Sequence, residues 1–199
     1  RQTLSTRSLL KKCLTAKKQL NLPDGGGITP AAVITGKGDG MIFYDFEVFK
    51  EDWLAVFIDV TRKEEHVIVN DPDKLKALYE ANRKDIWVGY NNRHYDQYIM
   101  KGILLGMNPK RINDWIIVEK KEGWQFSSAF NRIPMINYDV MPNPPVGLKT
   151  LEGFLGSDIK ETDVDFRINR KLDEKEIEMT TSYCRHDVEE TTNVVLAKI

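Results

Sequence analysis

The chain has 199 residues, enough for one well-packed domain with a short appendage and too few for two large ones. With 41% hydrophobic and 30% charged residues it has the composition of an ordinary globular protein, not of a disordered or membrane-embedded one. Its 29 basic and 30 acidic residues leave a formal charge of −1, which excludes the broad positive field of a packaging protein or repressor and makes any nucleic-acid contact local.

Up to residue 20 the chain carries Arg1, Arg7, Lys11, Lys12, Lys17 and Lys18 and no acid. Leu9, Leu10, Cys13, Leu14 and Leu20 recur there at helical spacing, so a basic helix ending before Pro23 is expected. Gly25, Gly26 and Gly27, then Gly36, Gly38 and Gly40, make the rest of residues 1–40 a flexible connector. An organelle transit segment has a similar charge pattern. Without a secretory apolar core or an initial Met, the segment reads instead as a surface helix, or as the remnant of a tag, a fusion or an upstream domain. Gly36-Lys37 is not a phosphate loop, because Ala31 stands where its first glycine is required and Gly38 where Ser or Thr is. Cys13 and Cys184 are too few for a disulfide framework or a four-ligand zinc site, so a reducing, cytoplasmic compartment is expected. The longest apolar run, 53–60 with Asp59 inside it, falls far short of the roughly 20 residues of a membrane span.

From residue 41 the pattern changes. Residues 41–48, 53–60 and 65–70 are rich in β-branched and aromatic side chains and predict an antiparallel meander. Leu75, Leu78 and Tyr79 predict a helix over 73–83, followed by a short buried-type strand at 86–90 and a helix at 95–105. A further helix follows Pro109, a strand covers 135–139 and a short helix 148–155. The last helix runs from Asp173 to the C-terminus, with Asp173 as N-cap and Glu176 three residues on forming a capping box. Residues 41–199 are thus expected to form one α/β domain with a mixed sheet flanked by helices, the element order of RNase H-like folds.

Three groups of acids stand out. Asp45 and Glu47, at i and i+2 of a strand, point to one face about 6.5 to 7 Å apart, while Phe46 faces the core. Two acids on an otherwise apolar strand are costly unless a cation lies between them, though an exposed polar face would also accommodate them. Asp96 ends the run Asn92-Arg93-His94-Tyr95-Asp96 where a strand passes into a helix, the place where open α/β sheets bind ligands; capping of that helix by Asp96 or Asn92 is the plain alternative. Tyr183 and Asp187 are four apart on the last helix and share a face, as many unrelated pairs do.

Taken in order, an acid pair on the first strand, an acid opening a mid-chain helix and a Tyr-x-x-x-Asp on the last helix resemble the three-motif signature of the DEDD, DnaQ-like 3′→5′ exonucleases. The middle motif is most similar to that of proofreading domains of family B DNA polymerases. The resemblance spans residue 41 to the C-terminus and is supported by Tyr138-Asp139, by Leu148-Lys149-Thr150-Leu151-Glu152 and by Leu155-Gly156. Ser182 occupies the position of the histidine used by one branch and Tyr183 that of the tyrosine used by the other, so the chain looks like the tyrosine branch. His186 is then not catalytic and is expected to be structural or exposed.

The resemblance implies an RNase H-like fold and hydrolysis of single-stranded DNA 3′ ends to nucleoside 5′-monophosphates, in proofreading or DNA processing. It implies that Asp45, Glu47, Asp96 and Asp187 hold two Mg²⁺ or Mn²⁺ ions, Asp45 bridging both, with Tyr183 orienting the attacking water. Asn92, Tyr95, Phe46 and Lys149 are the residues it assigns to nucleic-acid binding; for Asn92 and Tyr95 capping and core roles, and for Lys149 a solvated helix position, are the alternatives. Asp139 is expected to support other groups and not to ligate. Two rivals stay open: an RNA exonuclease of the same fold and a non-catalytic nucleic-acid-binding module. A domain beginning near Met41 and ending soon after the last motif also suggests the editing part of a phage-type or bacterial replicase, with a polymerase domain in the same or a partner chain.

Overall fold

The computed structural model describes residues 40–156 and 164–197, so the basic helix and most of the linker expected before residue 41 lie outside the described residues. Five strands, β1 (Met41–Val48), β2 (Trp53–Asp59), β3 (Glu64–Val69), β4 (Ile86–Gly89) and β5 (Ile136–Asp139), form one mixed sheet in the order β3-β2-β1-β4-β5. β2 is antiparallel to β1 and to β3, whereas β4 runs parallel to β1 and β5 parallel to β4. β1 is therefore central.

Alternation along β1 sends Ile42, Tyr44, Phe46 and Val48 to one face, with Ala55, Phe57 and Trp87, and Met41 and Phe43 to the other, with Leu54, Val56, Ile86 and Val88. Helices α1 (Pro72–Ala81), α2 (Asp96–Leu104) and α3 (Pro109–Asn113) bring Leu75, Tyr79, Ile99, Met100, Ile103 and Ile112 against the first face. The long α5 (Glu174–Ala197) lays Cys184, Val188 and Val195 on the second, and α4 (Leu148–Leu155) packs beside it. A strand covered on both sides reads as a nearly continuous apolar run, and in β1 only Asp45 and Glu47 break it.

The helix ends follow local chemistry. Asp71 accepts from Lys74 N at 2.8 Å with Pro72 in the first turn, so α1 starts one residue before the predicted 73 and ends at Ala81 instead of 83. The capping box at α5 forms reciprocally: Glu176 N donates to Asp173 Oδ1 at 2.8 Å and Asp173 N to Glu176 Oε2 at 2.9 Å. α3 continues into a π turn over Asp114–Val118, which the periodicity did not anticipate. Among the described residues no helix is long and apolar enough to cross a membrane.

One feature of the sheet prepares a site. β4 pairs with β1 only along Met41, Ile42 and Phe43, so beyond Phe43 the side of β1 facing β4 has no strand partner among the described residues. β4 ends at Gly89, where a Cβ would lie 2.7 Å from Asn92 Nδ2; only glycine lets the chain fold Asn92 back beneath it. Asp139, at the end of β5, accepts from Asn91 N at 2.9 Å, Arg93 N at 3.0 Å and Met141 N at 3.0 Å, and so shapes the loop that delivers α2 over the opening.

Candidate metal centre

Four carboxylates lie around that opening, near enough to repel one another. β1 supplies Asp45 and Glu47 on the face covered by α5. Asp96, the first residue of α2, reaches across so that Phe46 N donates to its Oδ1 at 3.1 Å, between the two β1 acids in sequence. Asp96 thus ties the helix to the free edge of β1 and does not cap its own helix by side chain, Tyr95 being the N-cap residue without a side-chain bond. From α5, Cys184 Sγ lies 3.5 Å from Asp45 Oδ2, and one turn on Asp187 points the same way. Lys149, from α4, closes the ring: its Nζ donates to Asp187 Oδ1 at 2.5 Å and to Glu152 Oε1 at 3.3 Å, and stands 4.9 Å from the centre of the Tyr183 ring.

The electrostatics are those of uncompensated charge. Burial, followed by repulsion from Asp96, Glu47 and Asp187, pushes the Asp45 carboxyl well above the usual range. Burial and the repulsion of Asp187 and Asp96 do the same to Glu47, against a smaller pull from Lys149. Asp96 is pushed up to about 7, chiefly by burial, although the Phe46 N–H holds it down. The Tyr183 phenol is pushed up by burial and then by Asp187 and Glu47, so it stays protonated at neutral pH. Buried carboxylates that repel one another with few hydrogen bonds destabilise a fold unless a cation neutralises them.

Comparison with family models, with curated proteins and with solved structures finds no match for this chain. The site is therefore described by its own residues. Among the described residues only Asp45, Glu47 and Cys184 bring one donor atom each within 4.8 Å of one another; Asp96 and Asp187 stand outside that group and act on it electrostatically.

The structure sorts the other expected residues. Lys149 is at the site, as an ion-pair partner of Asp187 and not a solvated helix residue. Tyr95 is half-buried beside the acids, its burial and the nearby Asp96, Glu47 and Asp45 raising its phenol well above the ordinary value, and its hydroxyl donates to Asn113 Oδ1 at 2.7 Å. Asn92 is fully buried: its Nδ2 donates to Asn137 Oδ1 at 3.0 Å and Tyr138 O at 3.1 Å, and its Oδ1 accepts from Asn137 Nδ2 at 3.2 Å. With both ends of its amide engaged, Asn92 ties β4 to β5 and does not present a substrate contact. Phe46 is 2% exposed within the core, so its ring cannot contact nucleic acid; its backbone N–H, already given to Asp96, is what it brings to the site. Asp139 shapes a loop, as expected, and His186 is buried against α4 and so structural, not exposed.

Sequence reasoning passed over Cys184 and Glu152. The signal for Cys184 was present, since Thr180, Cys184, Val188 and Thr191 recur at helical spacing and all are buried. Nothing in sequence marks a glutamate three residues after a lysine as fully buried.

Proposed function

We propose that the chain is a metal-dependent 3′→5′ exonuclease of the RNase H-like fold, acting on single-stranded DNA ends. The grouping of four mutually repelling carboxylates from β1, α2 and α5, of which only Asp187 is paired with an ammonium, carries this reading. The strand order β3-β2-β1-β4-β5 and the opening at the ends of the parallel strands, where ligands bind in open α/β sheets, support it.

Asp45, Glu47, Asp96 and Asp187 would hold two divalent cations. Bound there, the cations would supply charge neutralisation and activation of water for in-line hydrolysis of a phosphodiester. The protein's own groups do the rest. β1 and α5 fix the spacing of Asp45, Glu47 and Asp187, and the Phe46 N–H orients Asp96. Tyr183, neutral at physiological pH because burial and Asp187 raise its phenol, orients the attacking water by hydrogen bonding and does not take its proton. The half-buried Tyr95, anchored on Asn113, offers a ring at the rim against which a terminal sugar or base packs.

The test is Mn²⁺ titration together with a 3′-labelled single-stranded oligonucleotide, run as DNA and as RNA, with and without EDTA. Release of mononucleotides that stops on chelation is the expected result, faster on DNA. Oligonucleotide binding without turnover at any Mn²⁺ concentration would sink the reading and favour a binding module; faster RNA degradation would move the substrate class.

A further inference from the structure

Glu152 has no role in the site as described, yet it is fully buried where α4 meets α5. Its Oε1 accepts from Lys149 Nζ at 3.3 Å, while its Oε2 has no hydrogen-bond partner among the described residues. Across the seam His186 Nε2, also without a partner there, lies 3.9 Å from that oxygen. A buried carboxylate oxygen left bare is destabilising, and one that persists calls for an explanation. Lys149 supplies it. Its ammonium stands between two acceptors, held by Asp187 at 2.5 Å and with Glu152 within reach, on a four-carbon stem with three donors. A divalent cation on Asp187 would meet that ammonium at contact distance, where like charges repel strongly.

We infer that Glu152 is the second seat of the Lys149 ammonium: Lys149 rests on Asp187 until cations bind and then moves onto Glu152. This rests on the cation-binding reading of the four carboxylates and adds to it an internal competitor. Glu152 thereby sets cation affinity without touching a cation, since it decides how readily Lys149 releases Asp187. The exchange keeps every charge: one ion pair breaks, another shortens, and no proton moves.

Mn²⁺ titration of the full chain without substrate, followed by electron paramagnetic resonance, tests this. Lys149→Met removes the competitor and tightens Mn²⁺ by about fivefold, the scale of a part-exposed ion pair. Glu152→Gln removes the second seat and weakens Mn²⁺ by a similar factor. The double variant decides: Glu152 acts only through Lys149, so adding Glu152→Gln to Lys149→Met changes nothing further. If the two effects add, Glu152 acts as a plain nearby charge and the exchange is wrong; it is also wrong if Lys149→Met binds no tighter. Should Glu152→Gln not fold by thermal melt, the same comparison of single and double variants is made with Glu152→Leu, which leaves no unpaired polar atom at that position. No Mn²⁺ binding to the parent chain would remove the metal reading and the exchange together, whereas tight parent binding with additive variants removes the exchange alone.

Discussion

The two ends of β1 each gather buried acids, and they treat them differently. At the N-terminal end Asp59 and Asp85 are 3% and 0% exposed and share Arg62, whose guanidinium bonds Asp85 Oδ2 at 2.7 Å and also pairs with Asp59. Their other oxygens accept from Gly40 N at 3.1 Å and from Thr61 N and Arg62 N at 2.9 Å, so each of the four carboxylate oxygens has a donor. At the C-terminal end Asp45, Glu47, Asp96 and Asp187 have one ammonium near them, Lys149, and it pairs with Asp187 and serves Glu152 as well, so most of their charge is left without a partner in the protein. Acids that hold a fold together are saturated within it. Acids left short by their own chain are the ones for which a ligand from outside is proposed.

Removing an acid from the short end should therefore abolish activity. Asp45→Ala or Asp187→Ala is expected to reduce Mg²⁺-dependent nucleotide release by a factor of about a thousand or more, the scale of losing a metal ligand. The fold should persist, since neither side chain belongs to the apolar core. A variant that keeps a tenth of parental activity would contradict the site.

The cluster and the capping box of α5 should differ in how stability follows pH. Asp96 has a folded-state value near 7 against roughly 4 when unfolded, so in chelator the folded state binds the extra proton between those values. Stability is then fully present below pH 4 and falls as pH rises through 7, by no more than about 4 kcal/mol, with Asp45 and Glu47 acting in the same direction. Glu176, pulled down to about 2 by Arg170 and the Asp173 N–H, has the opposite sign: its contribution is present above its unfolded value and lost as pH falls through about 2. Urea unfolding across pH 4 to 8 in EDTA measures the first effect, and Asp96→Asn should flatten it. A profile that rises through this window would refute the uncompensated cluster.

Neutral substitutions give the sharpest contrast. Asp85→Asn breaks a buried pair and leaves Arg62 underserved, at a cost of about 2–3 kcal/mol. Asp45→Asn relieves repulsion and should stabilise the chelated protein. Equal signs in denaturant unfolding would erase the distinction between the ends.

How much of this was legible in the sequence follows the same division. The β1 pattern, the capping box of α5 and the i, i+2 placement of Asp45 and Glu47 are local, and periodicity states them. That Asp96 sits beside Phe46 depends on β4 pairing with only three residues of β1, which no local pattern encodes. Asn92 is assigned to nucleic-acid binding by the resemblance, with helix capping as the alternative. The bare Cα of Gly89 instead admits it to the interior, where Asn137 and Tyr138 satisfy it. Phe46 could not both face the core and meet a substrate, and burial decided for the core. The roles of Lys149 and Glu152 arise from how α4 docks on α5, a tertiary fact with no periodic signature.

The smallest expected effect bears on what the cluster's rim does with water. Tyr183→Phe keeps the ring over which Lys149 stands at 4.9 Å and removes only the hydroxyl. Because burial, Asp187 and Glu47 hold that phenol protonated, it acts as a hydrogen-bonding group, and its loss should slow turnover by about tenfold, the equivalent of one hydrogen bond of roughly 1.4 kcal/mol. Mn²⁺ affinity should not change, since Tyr183 carries no charge to share with a cation. A thousandfold loss accompanied by disappearance of the basic limb of the pH–rate profile would make Tyr183 a proton acceptor instead. Loss of Mn²⁺ binding would place its oxygen among the ligands, and in that case the short end of β1 would be less short of donors than its four carboxylates imply.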